Sequence, residues 1–313
     1  MSFSAKLPFE LSVLDFGIIA PGRSGREVLA DSLELADRLD QLRYHRLWLS
    51  EHHEPHFCWT GPEVMVAALA QRTRRIRLGT AAVLLPLRNP LQLAECFRTL
   101  EALTPGRIDL GVCAGIPQDP AALTALTGAA VAEPAGFAKG LTDLMAYLYG
   151  RFPADHRFAR GATPCFVPAP PVWVMGSGFG SARLAAEQGA GYAYSLFHRG
   201  SKLEPAVTRL YRDEAERSGT ASRVAIAASC ICAPTGAEAA AQRQLVEGWL
   251  KDDMRVVIAG TPDECHEQVV DMADEYGADE VILFHLWHQQ APRLAAVEAL
   301  ADLFQLTGDK VPA

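Results

Sequence analysis

The sequence lacks the features that would direct a chain to a membrane or to nucleic acid. No apolar run reaches the ~18 residues that a membrane span requires, and no block of like charges occurs. The formal net charge of -8 over 313 residues disfavours nucleic acid and anionic membranes as partners. The amino terminus has no basic segment followed by an apolar one, so we expect no signal peptide and a cytoplasmic protein.

A disulfide framework is also lacking. The seven cysteines, an odd number without regular spacing, are Cys58, Cys96, Cys113, Cys165, Cys230, Cys232 and Cys265. This pattern predicts reduced thiols, as in the cytoplasm. Cys230 and Cys232 form a C-x-C pair on a strand-like run, and two thiols alone are a weak metal signal. We therefore expect both to be buried structural residues.

No dinucleotide-binding fingerprint follows the first predicted strand, because Gly17, Gly22 and Gly25 do not have the G-x-G-x-x-G spacing. Strand and helix patterns alternate instead. The predicted strands are residues 11–15, 46–50, 76–82, 108–113, 172–175, 192–196, 224–232 and 280–286. The predicted helices are residues 27–42, 62–71, 91–103, 137–149, 182–188, 204–217, 238–251, 261–276 and 294–306. The helix at Thr261 opens with a capping box that ends at Glu264.

Eight strand–helix units favour an α/β fold whose parallel sheet closes into a (β/α)8 TIM barrel. An open, doubly wound sheet is the alternative, which the missing fingerprint disfavours. No repeat or linker divides the sequence, so we predict one domain over residues 1–313. Residues 114–171 read as an insertion after strand four, longer than an ordinary connection and suited to covering a substrate.

Polar, titratable side chains directly follow the second predicted strand. Glu51, His52 and His53 lie at its carboxyl end, where active sites of TIM barrels gather. An uncharged imidazole there can accept a proton or hold a polar intermediate. Metal binding is an alternative, but His52 and His56 do not form an H-E-x-x-H motif, and Pro55 interrupts a helix. Histidines satisfied by backbone carbonyls are a second alternative, more plausible for His53 than for both.

Two runs of small residues follow other strands. The sequence "GTAAVLLP" at residues 79–86 would let a planar ligand approach the backbone, although its composition alone favours a tight barrel layer. Residues 176–181, "GSGFGS", open a helix, and their backbone N–H groups could cradle a phosphate. An ordinary loop with a serine cap is the alternative for this second run.

Some further residues are candidates for the rim of the barrel. Cys113 ends strand four and could border the same cavity, or could be a small buried residue. The other rim candidates, for which packing is an equal explanation, are Trp249, His285, Trp287 and His288.

Taken together, these segments resemble the bacterial luciferase-like flavin monooxygenases. The resemblance is dense in "YHRLWLSEHH", "GTAAVLLPLRNPLQLAE" and "LEALTPGRIDLGVC", and it resumes at "VWVMGSGFGSARLAAEQGAGYAYS" and "GTPDECHEQV". The second and third of these segments, with "GTAA" and then "GR" and "GVC", look especially close to the luciferase α subunit. The family fold is a TIM barrel, in agreement with the strand count.

The resemblance implies a cofactor and a reaction. The family binds reduced FMN (FMNH2), usually supplied by a separate flavin reductase, and activates O2 as a flavin C4a-peroxide. By the same resemblance His52 is the catalytic base or hydrogen-bond partner, and Cys113 is a reactive cysteine beside the flavin. Ala81 and Ala82 would be joined by a cis peptide bond against the flavin ring. Glu51 is expected to orient His52 or to hold charge.

The phosphate of FMN would lie at residues 177–181, with Ser177, Gly178, Gly180 and Ser181 as its binding residues. Luciferases carry an arginine directly after the reactive cysteine, where this sequence has Ala114. The cation would then come from elsewhere, with Arg157 and Arg160 as candidates.

The sequence therefore predicts a monooxygenase acting on a small apolar or aromatic molecule, with a homodimer expected from the family and light emission doubtful. A flavin-binding protein without catalysis is the first alternative. A metal-dependent barrel hydrolase using His52, His53 and His56 is the second.

Overall fold

The computed structural model describes residues 8–128, 136–162, 164, 167–248 and 254–307. Its strands are β1 (Glu10–Asp15), β2 (Arg46–Leu49), β3 (Arg77–Thr80), β4 (Val83–Leu84), β5 (Ile108–Cys113), β6 (Val172–Gly176), β7 (Gly191–Ser195), β8 (Val224–Cys232), β9 (Ile258–Gly260) and β10 (Glu280–His285). All the pairings between these strands are parallel. Because β10 pairs with both β1 and β8, the sheet closes on itself.

The closed ring contains eight strands, and the predicted TIM barrel is confirmed. The two-residue β4 adds to the edge of β5, and β9 adds to the end of β8. The predicted strand over residues 76–82 is in fact two, because the chain leaves the ladder after Thr80 and rejoins it at Val83.

The described helices are α1 (Gly25–Gln41), α2 (Pro62–Arg72), α3 (Pro90–Leu103), α4 (Pro120–Thr127), α5 (Gly136–Tyr149), α6 (Phe179–Gln188), α7 (Ala206–Arg217), α8 (Gly236–Glu247), α9 (Pro262–Tyr276) and α10 (Gln290–Leu303). The capping box predicted between Thr261 and Glu264 is present at the start of α9. The predicted helix over residues 238–251 is described as far as Glu247, and Lys251 and Trp249 lie outside the described residues. None of the helices in the described ranges is long and apolar enough to span a membrane.

Two apolar layers follow from the alternation of side chains along each strand. Leu47 and Leu49 of β2 face outward and join a large cluster between the strands and the helices. Trp48, between them, faces inward and belongs to a second cluster that fills the barrel. Cys230 and Cys232 are buried in the outer layer, as predicted for structural cysteines.

A buried ion network occupies the amino-terminal end of the barrel. Arg46 lies 3.1 Å from the carboxylate of Asp109 and 2.6 Å from that of Glu280. Its guanidinium also lies 4.8 Å from the ring centres of both Trp48 and Trp173. Burial raises the pKa of Glu280, against the opposing effect of Arg46. In barrels this end serves stability, whereas chemistry gathers at the opposite end.

The segment read as an insertion contains the helix that the barrel needs after β5. α5 packs against α3 and against α6, as the ordinary helix of that strand would. The additional elements in the described ranges are therefore α4 and the connection after α5. The sequence pattern missed α4, whose Asp119 accepts a hydrogen bond from the N–H of Ala121 as an N-cap.

Candidate active site

Glu51 is a buried carboxylate at the carboxyl end of β2, with only 2% of its surface exposed. One of its oxygens, Oε1, lies 3.0 Å from Nε2 of His53 and 2.7 Å from Arg88. The other, Oε2, accepts a 2.9 Å hydrogen bond from the N–H of Leu84 in β4. Glu51 therefore connects β2 to the segment that follows β3.

Arg88 is a site residue that the sequence analysis did not identify. It follows a single turn of 3-10 helix, Leu85–Leu87, and its guanidinium bridges Glu51 to Glu63 of α2, at 3.1 Å. In the sequence, Arg88 stands out only as a cation directly before Asn89, the residue that caps α3. That position alone did not reveal a carboxylate partner 37 residues earlier in the chain.

His52 points in a different direction and is held by aromatic rings. Its imidazole stacks on Phe57, with ring centres 4.2 Å apart, and lies 5.0 Å from Phe16 in the loop after β1. Its backbone N–H donates a 2.8 Å hydrogen bond to the carbonyl of Trp59. The side chain is 28% exposed, so the imidazole can be reached from solvent.

The structure corrects two expectations about the histidine pair. Glu51 was expected to orient His52, but its carboxylate bonds to His53 and Arg88 instead. His53 was given backbone carbonyls as partners in the structural alternative, but its partner is the Glu51 carboxylate. The acidic group next to His52 is Glu54, whose Oε2 lies 3.7 Å from Nδ1 of the imidazole.

The peptide bond between Ala81 and Ala82 is cis, as the resemblance implied. Both residues are buried, and their side chains join the cluster that fills the barrel. The N–H of Ala81 donates to the carbonyl of Leu49 at 2.8 Å, and the N–H of Glu51 donates to the carbonyl of Ala82 at 3.2 Å. These bonds fix the turn between β3 and β4 next to the end of β2.

The glycines near this turn have a packing role. A side chain on Gly79 would place its Cβ 2.2 Å from the carbonyl oxygen of Asp109. One on Gly111 would lie 2.0 Å from the carbonyl oxygen of Thr80. Tight packing between neighbouring strands therefore accounts for these two glycines. Ala81 and Ala82 follow the point at which the strands approach so closely.

Cys113 ends β5 and packs against the barrel cluster. Its Sγ accepts a 3.4 Å hydrogen bond from the N–H of Gly115. Burial is the main cause that raises the pKa of this thiol to about 11, and the Glu51 carboxylate adds to the effect. The thiolate is the nucleophilic form of cysteine, so this thiol is protonated near neutral pH and weakly reactive.

The loop after β6 is shaped by Ser181. A Cβ on Gly176 would lie 2.0 Å from Oγ of Ser181, so the two residues require each other's small size. The Ser181 hydroxyl donates to the carbonyl of Gly178 at 2.8 Å and contacts the hydroxyl of Tyr192 at 3.2 Å. Ser177 is half-buried and Gly180 is exposed at the start of α6, where no side chain caps the helix.

Arg157 and Arg160 do not lie at this loop. The guanidinium of Arg151, a few residues earlier, donates to the carbonyl of Gln188 at the far end of α6. A helix of 10 residues is about 15 Å long. The residues after Arg151 return to the carboxyl end of α5, where the N–H of Ala162 donates to the carbonyl of Tyr147. Among the described contacts, none joins Arg157 or Arg160 to residues 177–181.

The described rim candidates after β8 and β10 either have structural partners or lie on the outer side of the strands, away from the barrel interior. The indole N–H of Trp287 donates to the carbonyl of Cys232 at 3.1 Å. His285 is buried, and burial lowers its pKa to about 3. It lines a cavity of about 30 Å³ with Asp15, His288 and Arg293. This cavity does not include His52, and rings fill the space nearer the barrel axis.

Three of those rings form one cluster. Phe16 and Phe284 lie 4.2 Å apart, and Phe197 lies 5.7 Å from Phe16 and 5.9 Å from Phe284. This triad of Phe16, Phe197 and Phe284 belongs to the cluster that fills the barrel, and its Phe16 contacts His52. It gives the site an apolar wall.

Comparisons with known proteins identify the family and the fold. The sequence matches the luciferase-like monooxygenase family over residues 11–280. It is 28% identical to the N-acetyl-S-alkylcysteine monooxygenase of Bacillus subtilis, over 93% of this chain and 97% of that protein. The fold resembles apo-MsnO8 with a TM-score of 0.81 and 29% identity, over 95% and 98% of the two chains.

A second solved structure is more distant in sequence. The oxygenating constituent of 3,6-diketocamphane monooxygenase from Pseudomonas putida, in complex with FMN, gives a TM-score of 0.73 at 20% identity, over 94% and 96% of the two chains. At that identity the likeness concerns the fold. The family match covers most of the chain, so the predicted resemblance and the predicted monooxygenase class are confirmed. This chain belongs to the luciferase-like monooxygenase family.

Proposed function

We propose that this protein uses reduced FMN and O2 to oxygenate a small apolar or aromatic molecule at the carboxyl-terminal rim of its barrel. The observation that carries the proposal is the setting of His52. Its imidazole is accessible, packed on Phe57 and Phe16, and one residue from Glu51, whose N–H bonds to the Ala81–Ala82 turn. A proton acceptor, an apolar wall and a small-residue surface therefore meet at one place.

The described residues fit a flavin. The methyl side chains of Ala81 and Ala82 add little bulk, so a planar ring can approach the backbone of this turn. The first N–H groups of α6 have no partner within the helix, and with the helix dipole they favour an anion such as the FMN phosphate. We propose that Ser177, Gly178 and Gly180 contact the phosphate, and that Ser181 keeps the loop in shape.

Reduced FMN, when bound, supplies the two electrons with which O2 gives one oxygen atom to the substrate and one to water. The protein's own contribution is to position the substrate and the flavin, to move a proton and to exclude water. We propose that His52 accepts a proton or a hydrogen bond at the reacting centre. Phe16, Phe197 and Phe284 would exclude the water that competes with the oxygenation. Cys113, as a protonated thiol, would act as part of the wall rather than as a nucleophile.

The source of electrons is proposed to be a separate flavin reductase, since the first strand is not followed by a nicotinamide-binding fingerprint. A homodimer and a cytoplasmic location remain predictions from the sequence. The name of the N-acetyl-S-alkylcysteine monooxygenase suggests a thioether as the first substrate to try.

The decisive experiment has two stages. Anaerobic titration with FMNH2 measures binding by fluorescence, and mixing with 18O2 in the presence of thioether and aromatic substrates measures oxygen transfer by mass spectrometry. We expect saturable binding and one 18O atom in a product. Saturable binding with H2O2 as the sole product across a broad panel would instead support a flavin-binding protein without catalysis.

The hydrolase alternative makes a different prediction, namely stoichiometric zinc that flavin does not displace. The side chains of His52 and His53 pair with different carboxylates, Glu54 and Glu51, which disfavours a shared ion. Elemental analysis of the purified protein separates the two functions.

A further inference from the structure

Glu54 lies beside His52 in an arrangement that the function described above does not use. Its Oε2 is 3.7 Å from Nδ1 of the imidazole. That oxygen is shielded from solvent and has no hydrogen-bond donor among the residues that the structure describes. A carboxylate oxygen removed from water without a donor is unfavourable, so it has a strong tendency to take one.

The position of Glu54 is fixed from two sides. Its Oε1 accepts the N–H of Gln118, in the segment after β5, at 3.5 Å. The N–H of Phe57 donates to the carbonyl of Glu54 at 3.1 Å, which closes a turn over residues 54–57 and brings the Phe57 ring onto the imidazole. The same turn therefore places both the carboxylate and the stacking ring against His52.

The other described groups near His52 bring no second carboxylate to it. His56, in the same turn, packs on Phe57 with ring centres 4.4 Å apart. Phe16 from the β1 loop and Phe57 carry no charge. Glu51 and His53, the neighbouring titratable residues in the chain, bond to each other. Within the described ranges, the carboxylate within ion-pairing distance of His52 is that of Glu54.

We propose that Glu54 is the positioning carboxylate of His52, holding a proton on Nδ1 so that Nε2 becomes the accepting nitrogen of the ring. The proposal deepens the function above and rests on it for its catalytic meaning. A movement of about 0.5–1 Å closes the pair to hydrogen-bond length. The second nitrogen of an imidazole is set by the hydrogen bond that the first one makes, so the carboxylate selects the tautomer.

The charge of Glu54 persists over the working pH range. His52 is the main cause that lowers the pKa of this carboxyl to about 2, with burial acting in the opposite direction. The group is therefore ionised near neutral pH, so a negative charge faces Nδ1 of His52.

The test is long-range proton–nitrogen NMR of the full chain labelled with 15N-histidine, with the His52 signals assigned by their loss in His52→Asn. We expect the Nδ1–H form in the unmodified protein. Glu54→Gln removes the charge and keeps the shape, and its amide can offer Nδ1 either an oxygen or an NH2 group, so the preference for Nδ1–H should weaken. Glu54→Ala also removes the acceptor and should shift the tautomer toward Nε2–H.

Glu298→Gln is the matched control: Glu298 on α10 forms a surface ion pair with Arg38 on α1, and its loss should leave the His52 signals unchanged. An unchanged Nδ1–H population in Glu54→Gln overturns the proposal, even if Glu54→Ala does not fold. The NMR experiment needs neither flavin nor substrate, so it tests the pairing of Glu54 with His52 independently of the oxygenase function.

Discussion

The guanidinium of Arg88 lies 2.7 Å from the carboxylate of Glu51, and this pair joins the end of β2 to the segment after β3. Arg88 is 26% exposed at its side chain, whereas Glu51 is almost fully buried. Most of the energetic cost of removing this pair from water therefore falls on the carboxylate of Glu51. Loss of the cation would leave that charge in a poorly hydrated place.

Arg88→Met should destabilise the protein by about 1–3 kcal/mol, because Glu51 then keeps only the His53 and Leu84 contacts. Urea denaturation followed by circular dichroism measures the change. Arg72→Met is the control, since Arg72 pairs with Asp37 at the surface and its loss should change stability by less than about 0.5 kcal/mol. Equal effects of the two substitutions would show that the burial of Glu51 has no energetic consequence.

His52→Asn should lower oxygen transfer by about 10²- to 10⁴-fold, the usual loss when a general base is removed. FMNH2 affinity should change by only a few-fold, because the proposed flavin surface is formed by other residues. His53→Asn removes a contact of Glu51 instead, so its main effect should be on stability. If turnover survives in His52→Asn, the proposed role of His52 is wrong.

Ser177→Asp should abolish the preference for FMN over riboflavin, since it adds a negative charge where the phosphate is proposed to bind. The ratio of the two dissociation constants isolates the phosphate from the ring. Ser181→Ala serves as the comparison: its hydroxyl holds the loop through Gly178 and adds no charge when lost, so FMN affinity should fall less than in Ser177→Asp and riboflavin affinity should stay unchanged. An unaltered ratio in Ser177→Asp would move the phosphate away from this loop.

Alkylation of Cys113 should be slow at neutral pH and should rise about tenfold per pH unit until the pH approaches 11, its raised pKa. The sign follows from the thiolate, whose fraction grows as pH increases toward the pKa. Site-resolved mass spectrometry after iodoacetamide treatment measures the rate, with circular dichroism to confirm folding at each pH. Fast modification at pH 7 would contradict the protonated thiol and restore a reactive cysteine.

The barrel could be predicted from the sequence because its signals are local and repeated. Each strand is a short apolar run, and helix starts such as Thr261–Glu264 carry their own capping residues. The two-residue β4 is too short to give a pattern, and α4 begins in a segment whose Pro120 and Asp119 also suit a turn. Short elements depend on their neighbours for stability, which a single sequence does not display.

The pairing of the site residues was harder to predict than their presence. Glu51 and His52 are adjacent in sequence, which suggested a contact, but adjacent side chains of an extended segment point to opposite sides. Residues two apart share a side, so Glu51 meets His53 and His52 meets Glu54. Arg88 joins the first pair from 37 residues away, a distance in the chain that no local pattern bridges.

The double pairing of β10 has a consequence for how the protein is made. Ser12 of β1 aligns with Ile282, and Ala228 of β8 aligns with Leu283, so the ring closes only through a strand about 270 residues from its first partner. During synthesis β1 and β8 remain open edges until β10 has emerged, and such edges invite pairing with other chains. The charged and aromatic plug of Arg46, Trp48 and Trp173 gains its last partner, Glu280, in that same final event. The sheet thus closes and Arg46 gains the charge of Glu280 in one late step of folding.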